Sequence, residues 1–301
     1  MLGLDFRRID NPAVWHPDVE LYEIRDAGGR EPIAHFYLDL YPRKGKYKHA
    51  AAFAIITGRR LPDGRYQKPV SAMVANFDKP AKNRPSLLTH DEVETFFHEF
   101  GHIMHQTLTK ARYGRFSGTA TAQDFVEAPS QMLENWVWDA SILQSLSGHY
   151  LDRTRKLPPE LLDKMIAAKN ADSGLANLRQ LTFASLDQAY HGKPPSNTTA
   201  VFTRLSKKIW MVPMSPDTHP EASFGHLTGY GAGYYSYLWS KVYAEDMFSR
   251  FKAEGVLNTA LGRRYRTEIL ERGSSRDEMN SLKAFLGREP NEDAFLKSIG
   301  L

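Results

Sequence analysis

The chain has 301 residues, 42% of them hydrophobic and 25% charged, enough apolar material for a sizeable core in one or two domains. It has no cysteine, which excludes a disulfide scaffold and any thiolate metal site, so a bound metal must rest on His, Asp and Glu. The net charge is +4, and the densest basic run, Arg43-Lys44-Gly45-Lys46-Tyr47-Lys48, reads as a polar turn between apolar segments. No basic face continues elsewhere, so no nucleic acid is expected as a partner.

In chain order, MLGLDFRRIDNPAVWHPDVE carries early charges and no apolar stretch of signal-peptide length. No later segment reaches the roughly 18 uninterrupted apolar residues of a membrane span. A cytoplasmic protein without a membrane partner is expected. Residues 19–25 and 32–41 alternate in polarity around the turn DAGGRE and are predicted as strands, as are 49–57 and 69–77. Thr89 and Glu92 have capping-box spacing and open a predicted helix. Its apolar stripe is Val93, Phe96, Phe97, Phe100, Ile103 and Met104. Further helices are predicted over 173–190, 232–251 and 275–287. The expectation is an α+β fold, mainly α: a small β-sheet in 1–80 and a helical body in 89–301, forming one domain over 1–301.

The first of these helices contains HEFGH, residues 98–102. Residues four apart on a helix are separated by about 6 Å along the axis and about 40° around it, so His98 and His102 can bind one zinc ion. Glu99 can lie beside the ion as a general base toward the attacking water. His105 is about 10.5 Å along the axis from His98, too far to share the metal, and is read as packing. Leu108 stands where a metzincin would carry its third histidine, which excludes that pattern. The third ligand is sought in TAQDFVEAPSQMLENWVWD, where a carboxylate on an apolar helix needs a partner. Glu127, at capping-box spacing from Asp124, is preferred and Glu134 is its rival. Pro129 is expected to bend or restart the helix here.

The stretch ASFGHLTGYGAGYYSYLWSKVYAEDMF, residues 222–248, places four glycines before a helix. Tyr230, Tyr234 and Tyr237 are spaced four and three apart, as if on one face, with His226 just before them. Protonated tyrosines can donate to an oxyanion, and the same rings can simply pack. GYGAG lacks the spacing and the strand–turn–helix setting of a nucleotide loop.

Taken together, FYLDLYPRKGKYKHAAAF, SAMVANFDKP, PSLLTHDEVETFFHEFGHIMHQ, FSGTATAQDFVEAPSQMLENWVW, GLANLRQ, FGHLTGYGAGYYSYLWSKVYAEDMF and FLGREPNEDAFLKSIGL resemble the thimet oligopeptidase, neurolysin, oligopeptidase A and peptidyl-dipeptidase group of zinc peptidases. The resemblance covers nearly the whole chain and implies a zincin-like fold. It also implies one Zn2+ held by His98, His102 and Glu127, with Glu99 as general base. His226, Tyr230, Tyr234 and Tyr237 would contact the substrate or stabilise the transition state. Oligopeptides are the expected substrates, with the peptide extended along SAMVANF by β-addition. Members of the group are more than twice as long, and the chain resembles their C-terminal catalytic half. The alternative expectation is a zinc-binding half-protein with little activity alone, whose open cleft is covered by self-association or by a partner chain.

Overall fold

A computed structural model describes every residue of the chain except Pro194. The strands are β1 (Leu4–Arg8), β2 (Glu20–Asp26), β3 (Pro32–Asp39), β4 (Ala51–Ile56), the short pair β5 (Arg59–Arg60) and β6 (Tyr66–Gln67), and β7 (Val70–Val74). Five of them form one sheet in the order β1-β2-β3-β7-β4, with β3 and β7 parallel and the other pairs antiparallel. The four predicted strands are all present. β1 is an addition, because Asp5, Arg7 and Arg8 hide a pairing with β2 that only the sheet reveals.

The sheet order corrects one expectation. SAMVANF supplies β7, which is hydrogen-bonded on one side to β3 and on the other to β4, so no peptide can add beside it. The open edge on that side belongs to β4.

Helix α1 (His90–Thr107) begins as its sequence demands. The Thr89 hydroxyl accepts from the Glu92 N–H at 3.3 Å, and the Glu92 carboxylate accepts from the Thr89 N–H at 2.8 Å. Such a cap stabilises a helix by about 1 kcal/mol. The apolar stripe of α1 lies against the sheet: Phe100 packs on Phe36 at 5.6 Å and on Phe6 at 5.7 Å between ring centroids. Ile103 and Met104 go deeper, into a core shared by Ile24, Phe36, Met73, Met132, Trp136, Phe248 and Phe251. One hydrophobic core therefore joins the sheet to the helices, and α1 is the element between them.

After α1 come α2 (Ala128–Glu134), α3 (Ala140–Leu146), α4 (Pro159–Ala168), α5 (Ser173–Gly192) and α6 (Thr198–Leu205). They are followed by α7 (His226–Gly229), α8 (Ser236–Glu254), α9 (Thr259–Tyr265), α10 (Glu278–Leu286) and α11 (Asp293–Ser298). The fold is α+β and mainly α, as expected. Pro129 falls in the first turn of α2, where its missing N–H costs nothing, so it starts the helix rather than bending it. No capping box forms from Asp124, whose carboxylate instead accepts from the Tyr235 hydroxyl at 2.8 Å. The segment predicted as helix from 232 is helical only from Ser236. Among the described residues no helix is long and apolar enough to cross a membrane.

Candidate active site and metal centre

α1 presents His98 and His102 side by side, with ring centroids 5.0 Å apart. Glu127, immediately before α2, reaches both: its Oε2 lies 3.2 Å from His98 Nε2 and 3.0 Å from His102 Nε2. This approach depends on Gly101, inside HEFGH. A Cβ there would lie 2.6 Å from Ser130 Cα and 2.9 Å from the Pro129 carbonyl oxygen, so only glycine lets α2 pack this closely. Ser130 also donates its hydroxyl to Glu127 Oε2 at 2.9 Å and steadies the carboxylate.

Glu134, the rival third ligand, lies behind His98. Its Oε1 is 2.6 Å from His98 Nδ1, which orients the ring and leaves Nε2 facing Glu127. This is how a carboxylate supports a metal-bound imidazole. Helix α2 thus brings both carboxylates to His98, one on each ring nitrogen.

Burial works against a charge on His98, but Glu127 and Glu134 outweigh it and push the ring up to about 10. Burial alone would raise the Glu127 carboxyl; His102 and His98 reverse this and hold it well below the usual carboxylate range. Two imidazoles and a carboxylate crowded on one point are a set of donors suited to a cation. The ligand atoms of His98, His102 and Glu127 all lie within 4.8 Å of one another. Two nitrogen donors and one oxygen donor face a cavity on one side and could hold a metal ion.

Glu99 is 8% exposed and stands beside this group without joining it. Burial raises its pKa, moderated by His98 and His102, and Ala52 of β4 lines the same cavity. A cavity of about 420 Å³ opens here, lined by Ala50, Ala51, Ala52, Glu99, Tyr230 and Tyr237 together with the three candidate ligands. The open edge of β4 therefore forms one wall of the cleft, with Glu99 below it.

The tyrosines do not share one helical face, since Tyr230 and Tyr234 precede α8 and only Tyr237 lies within it. They gather around His226 instead. Its ring centroid is 5.2 Å from that of Tyr230, 4.9 Å from Tyr234 and 6.1 Å from Tyr237. Tyr237 lines both the cavity beside His98 and His102 and an adjoining one of about 610 Å³, which also contains His226, Tyr234, Gln180 and Lys241. Burial, then Glu127, push the Tyr237 hydroxyl up to about 12, so it keeps its proton near neutrality. The Tyr234 hydroxyl is engaged elsewhere, donating to Gln180 Oε1 at 2.8 Å.

His105 is completely buried against Phe125, and neither ring nitrogen has a hydrogen-bond partner among the described residues. Burial lowers its pKa to about 3, so the ring is neutral and packs. Gly101, the orienting position of Glu134 and the β4 wall are additions to the sequence reading. Only the glycine within the motif carried a signal that could have pointed to close helix packing.

The model of "Peptidase family M3" matches residues 1–301. A thimet-like oligopeptidase of Dictyostelium discoideum is 46% identical over 307 residues, covering 100% of this chain and 46% of the relative. Oligopeptidase A of Escherichia coli is 44% identical, covering 99% of this chain and 45% of the relative. The chain thus spans just under half the length of these relatives. Among solved structures, PZ peptidase A with an inhibitor superimposes with a TM-score of 0.57 at 14% identity, over 87% of this chain and 42% of that one, a likeness of fold. On the whole-chain family match and these identities, the chain belongs to peptidase family M3.

Proposed function

We propose that the chain carries the catalytic site of a zinc metallopeptidase that hydrolyses peptide bonds in oligopeptides. The observation that carries this reading is the convergence of His98, His102 and Glu127 on one point beside Glu99, at the open edge of β4. Zn2+ held by the three ligands would supply Lewis-acid polarisation of the scissile carbonyl and acidify the attacking water. Glu99 takes the proton as water adds to the carbonyl carbon, then delivers it to the departing nitrogen when the C–N bond breaks. Its raised pKa suits both halves of that transfer. The backbone of β4 accommodates an extended peptide by adding it as a further antiparallel strand. Tyr237, protonated and lining the cavity, donates to the oxyanion, with Tyr230 on the same wall; His226 and Tyr234 brace the two rings.

Glu99→Gln tests this reading. The variant should retain wild-type zinc content by elemental analysis while losing at least about 1,000-fold in turnover of a quenched fluorogenic oligopeptide. Unchanged turnover in that variant would sink the mechanism.

A second reading is favoured by an apolar groove between α5 and α8, lined by Leu181, Ala184, Tyr235, Leu238, Trp239 and Phe295, with Trp239 52% exposed. In that reading the zinc-loaded chain has little activity until another polypeptide covers this face. Full peptidase activity in a fraction shown by light scattering to be monomeric argues against it.

A further inference from the structure

One buried carboxylate has no part in the chemistry above. Asp187, on α5, is fully buried and gathers donors from the segment that carries the aromatic side of the site. Its Oδ1 accepts from the Ala232 N–H at 3.0 Å, and its Oδ2 from the Tyr234 N–H at 2.7 Å. His191 Nδ1 lies 2.8 Å from Oδ1 and His226 Nε2 lies 3.6 Å from Oδ2. The neighbouring Gln188 donates to the Ala232 carbonyl at 2.7 Å, so the Ala232 residue is held at both its N–H and its C=O. His191 Nε2 lies 3.2 Å from the Leu227 carbonyl, and a Cβ on Gly231 would sit 2.7 Å from the His191 ring.

The segment needs these ties. Ala232 is held at φ +58°, a left-handed conformation that residues with a side chain avoid. Tyr230 is 59% exposed, and nothing lies within 4 Å of where a Cβ on Gly225 or Gly229 would be. Phe183 of α5 packs on Phe224 and Tyr234, with ring centroids 5.0 and 5.6 Å apart, and so holds the two ends of the loop. A carboxylate removed from water is kept where donors satisfy it, and here two of those donors are the loop's own backbone.

We propose that Asp187 is a positioning residue for the peptidase reaction: it fastens residues 227–234 to α5 and thereby sets Tyr230, Tyr237 and His226 against the metal group. The inference rests on the peptidase reading above. Its removal should slow turnover without loosening the metal or the substrate, because Asp187 touches neither.

The test is Asp187→Asn in the zinc-loaded full chain, followed by hydrogen–deuterium exchange and steady-state kinetics. The asparagine keeps the shape but turns an NH2 toward one of the two backbone donors. Amides of residues 227–235 should exchange about 10- to 100-fold faster, with those of α1 and α2 unchanged. In the same variant kcat should fall about 10- to 100-fold with KM within about threefold and zinc content unaltered. Unchanged exchange in 227–235 overturns the proposal, and so does faster exchange with kcat preserved. If Asp187→Asn does not fold, Gln188→Ala removes the exposed tie to the Ala232 carbonyl and should show the same pattern at about 3- to 10-fold. A wild-type chain that holds zinc but cleaves no peptide refutes the peptidase reading and the catalytic half of this proposal, while the exchange arm still decides whether Asp187 holds the loop.

Discussion

The candidate metal group and the tyrosine arm face one cleft but are built in opposite ways. His98, Glu99 and His102 come from adjacent turns of one helix, and Glu127 reaches them because Gly101 lets α2 approach. Ser130 and Glu134 then support the ligands from the same short helix. The tyrosine arm enters about 100 residues later in the chain, through a glycine-rich segment with an exposed Tyr230 and an anchor on α5. Rigid elements hold the group that, as the proposed metal site, must meet a coordination geometry within tenths of an ångström. In the proposed reaction, the loop holds donors that need to be in place only when charge develops on the substrate. The contrast teaches that metal retention and turnover should separate cleanly under mutation.

The largest expected effect breaks the first region alone. Glu127→Ala removes one of the three proposed zinc ligands and should weaken zinc binding by roughly 1,000-fold, about 4 kcal/mol. Competition against a chelator measures it, and an unaltered affinity would remove Glu127 from the ligand set. Tyr237→Phe breaks the second region alone. It should lower kcat about 100- to 1,000-fold with zinc affinity unchanged. Tyr234→Phe should cost less, because that hydroxyl already donates to Gln180; equal losses in the two variants would contradict the arrangement.

The smallest effect is a control in the sheet that touches neither region. Asp39 is buried, which by itself would raise its carboxyl, but bonds from Arg43, Trp15 and Lys46 outweigh burial and bring it down to about 2. A carboxyl depressed on folding contributes stability that is complete above about pH 4 and is lost as pH falls toward its folded value. The stability gap between wild type and Asp39→Asn, from urea unfolding, should be about 2 kcal/mol at pH 6 and shrink markedly by pH 2. A gap that stays constant across that range would show that the ion pairs do not act through Asp39's charge.

Where function was legible in the residues, it was because the relevant neighbours are close in sequence. His98, Glu99 and His102 share a helix whose period is known, and Thr89 with Glu92 announced where that helix starts. Glu127 and Glu134 were both visible as carboxylates on an apolar helix, and spacing could not rank them. In the fold they take different jobs on the same histidine, at Nε2 and at Nδ1. Asp124 offered a cap by spacing that the chain does not use, because Tyr235 competes for its carboxylate across 111 residues. The peptide was expected along SAMVANF, but a run that reads as a strand says nothing of the strands that lie beside it.

The sequence by itself determined the elements and the chemistry that local geometry controls: the capped helix, the paired histidines with their glutamate, and the strands of the small sheet. Only the tertiary structure decided which strand is left open, how Gly101 brings α2 to α1, and that Asp187 ties the tyrosine loop to a distant helix. The physical reason is range. Helical period and capping act over a few residues, whereas strand order, close approach and a buried carboxylate's choice of donors depend on what the rest of the chain brings alongside.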